Sequence, residues 1–187
     1  VIHAEGPTKE FVKKGGTLEG IQLWLNLPAE FKMIPAAYQH IKSEDIPSVK
    51  NKDKSIELKI VAGEQADKKG LIKTQTSVNV FTAKAMAEGK MRVALPKTHQ
   101  SLLYILDGEV LVNNEVVLKK GALQMITFNQ DGSAIEFEAQ AESNLLIISG
   151  EPINEKITQY GPYVMNTQTE IMEAMRDYQQ GKMGYLY

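Results

Sequence analysis

The 187 residues contain no cysteine. That excludes a disulfide, a thiolate nucleophile and any zinc site built on cysteine. Histidine is nearly as scarce: His3, His40 and His99 are the only three, and tryptophan occurs once, as Trp24. So few imidazoles leave few ways to assemble a metal centre or a general base. An excess of one charge is also missing, since 21 lysines and arginines stand against 23 aspartates and glutamates, for a formal net charge of −2. The lysine pairs Lys13-Lys14, Lys68-Lys69 and Lys119-Lys120 are scattered along the chain. No basic stripe forms, and no direct nucleic-acid partner is expected. No apolar run approaches the roughly 18 residues of a membrane span. The first residues, which include His3, Glu5 and Lys9, do not read as a secretory leader. A cytoplasmic protein away from the membrane is the expectation. The chain opens on Val1 rather than Met, so it reads as processed, cut or cloned from something longer.

What is present is mostly short β-strands. "SIELKIVAG" puts Ile56, Leu58 and Ile60 on one face, with Glu57 and Lys59 on the other. "GIQLWLNL" alternates Ile21, Leu23, Leu25 and Leu27 against Gln22, Trp24 and Asn26. "VNVFTAK", "MRVAL", "SLLYIL", "EVLVN", "EVVL", "ALQMITF", "AIEFEA" and "NLLIIS" follow, punctuated by turn signals at Asp107-Gly108, Asn113-Asn114, Lys120-Gly121 and Asp131-Gly132. Many short strands with tight turns predict an all-β antiparallel sandwich or barrel. A parallel α/β fold is excluded because no helices of adequate length alternate with the strands. Residues 35–55, rich in charge and carrying Pro35 and Pro47, read as a connector with one short helix at most. Near the C-terminus, Thr167 and Glu170 have capping-box spacing, and Ile171, Ala174, Met175 and Tyr178 recur at helical spacing up to Gly181. A helix over about 167–180 is predicted, with its apolar stripe docked on its own core rather than on a partner.

Chemistry is sparse. Gly15-Gly16 reads as a turn and not as a phosphate loop, because no Gly-Lys-Ser/Thr follows. His40 stands in the polar connector with no residue to orient it and reads as a surface side chain. The remaining signal is "VIHAE", Val1–Glu5. Residues i and i+2 of a strand share a face, so His3 and Glu5 can reach one metal ion. A transition metal usually takes three or more protein ligands. Taken alone, the pair is therefore either half of a metal centre or an ordinary surface pair.

Longer stretches carry a family resemblance. "GIQLWLNLPAEFKM", "YQHIKSEDIP" and "QYGPYVMNTQTEIMEAMRDYQQGK" resemble the pirin family of bicupin proteins, and the match extends from "VIHAE" nearly to the C-terminus. The resemblance implies two cupin jelly-roll barrels, with one mononuclear metal, usually iron, in the first. The implied ligands are an HPH-type histidine pair on an upstream strand and a His-x-Glu, which His3 and Glu5 match position by position. The upstream pair would fall before Val1. The expected organisation is thus a remnant of the metal-binding barrel over 1–34, the connector over 35–55, a complete second barrel over 56–152 and a C-terminal extension over 153–187. Superposing the first barrel's ligand strand on "VALPKTHQSLLYILDGE" sets Ala94 and Pro96 at the ligand positions and His99 at a non-ligand position. The counterpart of the His-x-Glu is Ala134-Ile135-Glu136, so no metal is expected in the second barrel.

The metal implied in the intact protein is Fe(II), as an imidazole and carboxylate set with open positions suits it. Some pirins cleave quercetin-like flavonols, whereas others are metal-dependent regulators that bind protein partners such as transcription factors. Both a small aromatic or enolic substrate and a protein partner are therefore expected possibilities. Gln22 and Trp24 share a strand face and are candidates for lining the metal cavity, although Trp24 fits a packing role equally well. The 187 residues by themselves are expected to bind metal weakly, to lack turnover, and to self-associate or pair with a missing N-terminal segment through open strand edges.

Overall fold

The computed structural model describes residues 2–185. The chain divides into two compact units, one formed by Tyr38–Pro152 and the other by the residues before Tyr38 together with those after Pro152.

The Tyr38–Pro152 unit is a sandwich of antiparallel strands. Its first strands are β1 (Ser48–Lys50), β2 (Ile56–Ala62), the short hairpin β3 (Glu64–Gln65) and β4 (Lys68–Lys69), β5 (Val78–Ala85) and β6 (Lys90–Ala94). β7 (Gln100–Asp107), β8 (Glu109–Val112), β9 (Val116–Lys119), β10 (Met125–Phe128), β11 (Ala134–Ala139) and β12 (Ser143–Gly150) complete it. One sheet has the order β1-β2-β5-β12-β7-β10 and the other β6-β11-β8-β9. Neighbours in space are rarely neighbours in sequence, which is the jelly-roll pattern.

Period-2 alternation decides which side chains meet between the sheets. Ile56, Leu58 and Ile60 of β2 are fully buried, and Phe81, Leu103, Ile105, Leu145 and Ile147 join them from the same sheet. Val93, Val110, Val112, Leu118, Ile135 and Phe137 come from the other. The turns fall at the expected signals. Asn113 and Asn114 both have positive φ, 51° and 57°, at the centre of the turn between β8 and β9 that Glu115 N–H closes by donating to the Val112 carbonyl. Gly108 (φ 88°) lies so close to Ser143 and the Glu142 carbonyl that a Cβ would overlap both. The stretch from Ile34 to Ser55, read from the sequence as a connector with one short helix at most, joins the sheet. It contains no helix and supplies the edge strand β1, which pairs with β2 from Ser48↔Lys59 to Lys50↔Glu57. Pro47 has no N–H for a helical ladder, but its carbonyl accepts from Ile60 N–H and so opens the strand pairing instead.

The other unit contains α1 (Lys9–Lys14), a 3₁₀ turn over Ala29–Phe31, the hairpin β13 (Thr158–Tyr160) and β14 (Tyr163–Met165), and α2 (Gln168–Gln179). α2 has the predicted capping box: the Thr167 hydroxyl accepts from Glu170 N–H while the Glu170 carboxylate accepts from Thr167 N–H. Its stripe buries Ile171 completely, and the helix packs on the β13–β14 hairpin. α1 was not foreseen, although Thr8 caps it, Lys13 and Lys14 occupy its last turn and Gly15 (φ 71°) ends it. Neither Ile2–Glu5 of "VIHAE", whose Val1 lies outside the described residues, nor "GIQLWLNL" is a strand: among the described residues of 2–37, none is assigned to a sheet. Leu23 and Trp24, which alternation would put on opposite faces, are 46% and 64% exposed. The pattern for a strand is present, but among the described residues no neighbouring strand accepts its backbone hydrogen bonds, and a strand without one is not stable in water.

Candidate metal centre

All four predicted site residues hang on irregular backbone, yet the structure brings them together. His3 Nε2 lies 3.6 Å from Glu5 Oε1. Glu5 Oε2 accepts a hydrogen bond from Gln22 Nε2 at 3.3 Å, and Gln22 Oε1 accepts one from Trp24 Nε1 at 3.4 Å. The result is a continuous series, His3–Glu5–Gln22–Trp24, that joins two segments 17 residues apart. His3 and Glu5 are about two-thirds exposed.

The donor chemistry fits part of a metal site. An imidazole nitrogen and a carboxylate oxygen 3.6 Å apart can both sit at roughly 2.1 Å from a single transition ion between them. The two donors do not make a complete set. Among the described residues no group of three or more histidines, aspartates or glutamates is disposed around one point, so further donors must come from outside this pair.

The histidines not in this series have other surroundings. His40 is exposed, with its ring stacked on Tyr38 at a centroid distance of 6.4 Å. His99, just before β7, is 5% exposed. It adjoins a cavity of about 420 Å³ at one end of the sandwich, with Leu95, Pro96, Ile126, Phe128 and Ile135 among the lining residues. Its Nδ1 lies 3.0 Å from Ser149 Oγ and its Nε2 3.0 Å from Ser77 Oγ. Glu64 N–H donates to Asn79 Oδ1, and Asn79 Nδ2 donates to Ser149 Oγ. In the order that satisfies each donor, the Ser149 hydroxyl donates to His99 Nδ1, and His99 Nε2–H donates to Ser77 Oγ. Burial pushes the His99 imidazole below its ordinary value, partly opposed by the charge of Glu151. No sequence pattern marks this network, because Ser77 and His99 lie in loops while Asn79 and Ser149 lie on β5 and β12, far apart along the chain.

Glu136, the carboxylate at the second barrel's ligand-equivalent position, points out of the sandwich and pairs with Arg92 at 3.1 Å. Its neighbour Ile135 takes the inward position. Ala134 and Ala94, at two of the other equivalent positions, face each other across the β6–β11 pair.

The family model for the pirin C-terminal cupin domain matches residues 80–184, more than half of the chain. The chain belongs to the pirin family. A pirin-like protein of Solanum lycopersicum is 35% identical over 188 residues, covering 99% of this chain and 62% of its own length. A Pseudomonas aeruginosa protein named "Putative quercetin 2,3-dioxygenase" is 35% identical over 182 residues, covering 97% of this chain and 63% of its own length. The crystal structure of a quercetin 2,3-dioxygenase from Acinetobacter baumannii superposes with a TM-score of 0.81 at 36% identity, over 88% of this chain and 56% of that one. This pirin chain therefore spans about three-fifths of the length of the curated relatives it matches. The family match runs from within β5 of the jelly roll through α2.

Proposed function

We propose that the chain is part of a metal-dependent dioxygenase of quercetin-like substrates, with His3 and Glu5 among the ligands of an iron(II) ion. The observation that carries the reading is the His3–Glu5 juxtaposition at 3.6 Å in a chain 36% identical to a quercetin 2,3-dioxygenase structure. An iron ion held there would supply Lewis acidity and redox chemistry.

The chain's own residues have separate tasks in this reading. His3 presents the lone pair of Nε2. Glu5 presents Oε1 and offsets part of the ion's positive charge, while its Oε2 stays engaged with Gln22. The indole of Trp24, well exposed beside them, offers a flat face on which an aromatic substrate can stack. Two protein donors are too few to hold a transition ion firmly, so the proposal requires additional ligands in the full-length gene product.

The test is aerobic consumption of quercetin by iron-loaded full-length product, with and without His3→Ala. The expected result is turnover that His3→Ala lowers by at least a hundredfold. No turnover by fully loaded wild-type protein, or turnover that His3→Ala leaves intact, would overturn the proposal.

A further inference from the structure

The orientation of Gln22 is fixed by what stands on either side of it. An indole Nε1–H can only donate and an ionised carboxylate can only accept. The Gln22 amide lies between the two, its Oε1 3.4 Å from Trp24 Nε1 and its Nε2 3.3 Å from Glu5 Oε2. Turning the amide over would set Oε1 against a carboxylate and Nε2 against an N–H, so both contacts would become repulsive. Trp24 thus determines which way Gln22 faces, and Gln22 determines which oxygen of Glu5 is occupied. The oxygen left over, Oε1, is the one 3.6 Å from His3 Nε2.

We infer that Gln22, oriented by the Trp24 indole, is a positioning residue that holds the Glu5 carboxylate ready to share a metal ion with His3. The inference rests on the metal-site reading above and assigns to Gln22 and Trp24 a role in ion affinity rather than in packing. Supporting hydrogen bonds of this kind fix a ligand's rotamer before the ion arrives, and their loss typically weakens metal binding by about 10- to 100-fold. Glu5 has special need of such support. It lies on irregular backbone, is largely exposed, and without Gln22 would be free to swing away from His3.

Two variants separate positioning from packing. Gln22→Met keeps the length and unbranched shape of the side chain but removes both hydrogen-bonding atoms. Trp24→Phe keeps an aromatic ring and removes the indole N–H. Iron(II) affinity of the full-length product, measured by competition with a chromogenic chelator, should fall about tenfold in Gln22→Met and by a smaller factor in Trp24→Phe. Thermal midpoints should be unchanged, since both side chains are exposed. Trp24 is the only tryptophan of this chain, so the 187-residue chain provides a second readout without metal. Its lone indole N–H resonance should shift in Gln22→Met, and also in Glu5→Ala, where the amide is released at its far end.

His3→Ala serves as the reference. If it abolishes tight iron binding while Gln22→Met and Trp24→Phe bind as wild type does, the positioning role is overturned and the metal site stands. If His3→Ala binds iron as wild type does, the site reading fails and this inference fails with it.

Discussion

His99 shows how one residue can couple stability to pH. Its imidazole is buried among Ser77, Ser149 and the lining of the end cavity, and burial depresses its pKa. Besides the charge of Glu151, which opposes the shift, its polar neighbours are the neutral Ser77, Asn79 and Ser149. An unfolded histidine titrates near about 6.5. Between that value and the lower native one, the unfolded chain binds more protons, so stability rises with pH across this window. The contribution is complete above the unfolded value and is lost as pH falls through the native one. Protonation at Nδ1 would also remove the acceptor to which the Ser149 hydroxyl donates. The midpoint of urea unfolding should therefore drop between pH 7.5 and pH 5.5, and the drop should be smaller in His99→Gln. Equal drops in the two proteins would show that His99 is not the titrating group.

At the scale of elements, α2 depends on its first turn. Thr167 and Glu170 satisfy each other's backbone N–H groups, and Glu170 also accepts from Asn166 N–H. The Thr167 hydroxyl and these N–H groups hold the Glu170 carboxyl below its usual value. Thr167→Ala should cost about 1 kcal/mol and speed amide exchange in the first turn of α2, while the sandwich strands keep their protection. Unchanged exchange at Glu170 and Ile171 would contradict the assigned cap.

The same elements show why some of the fold was legible in the sequence and some was not. The helix signal at Thr167 was readable because all of its stabilising partners lie within four residues. The strands of the sandwich were readable because each alternates against a core that this chain supplies. "GIQLWLNL" alternates equally well, yet it forms no strand here. Alternation reports which face would be buried, but a strand also needs a hydrogen-bonded neighbour, and that information lies elsewhere in the sequence. α1, at six residues, is too short to leave a hydrophobic period and shows only in its caps.

For the molecule as a whole, the two units carry different parts of the account. The Tyr38–Pro152 sandwich holds the main core, a buried polar network and no cluster of metal-ligating side chains among the described residues. The pair with metal chemistry belongs to the other unit, together with Gln22 and Trp24. His3 and Glu5 were identifiable by spacing, but their significance came from family resemblance, because a His-x-Glu alone is common. The link from Glu5 to Gln22 could not be read from sequence, since it spans 17 residues of irregular chain. In contrast, the His99 network was hidden because β5, β7 and β12 meet only once the sheet has formed.

The central claim is that His3 and Glu5 bind one iron ion. The most direct measurement is an anomalous difference map, collected at the iron edge, from crystals of the iron(II)-loaded full-length product. The account predicts a single strong peak within about 2.2 Å of both His3 Nε2 and Glu5 Oε1. An iron peak bound by other residues, with His3 and Glu5 left in solvent, would contradict it.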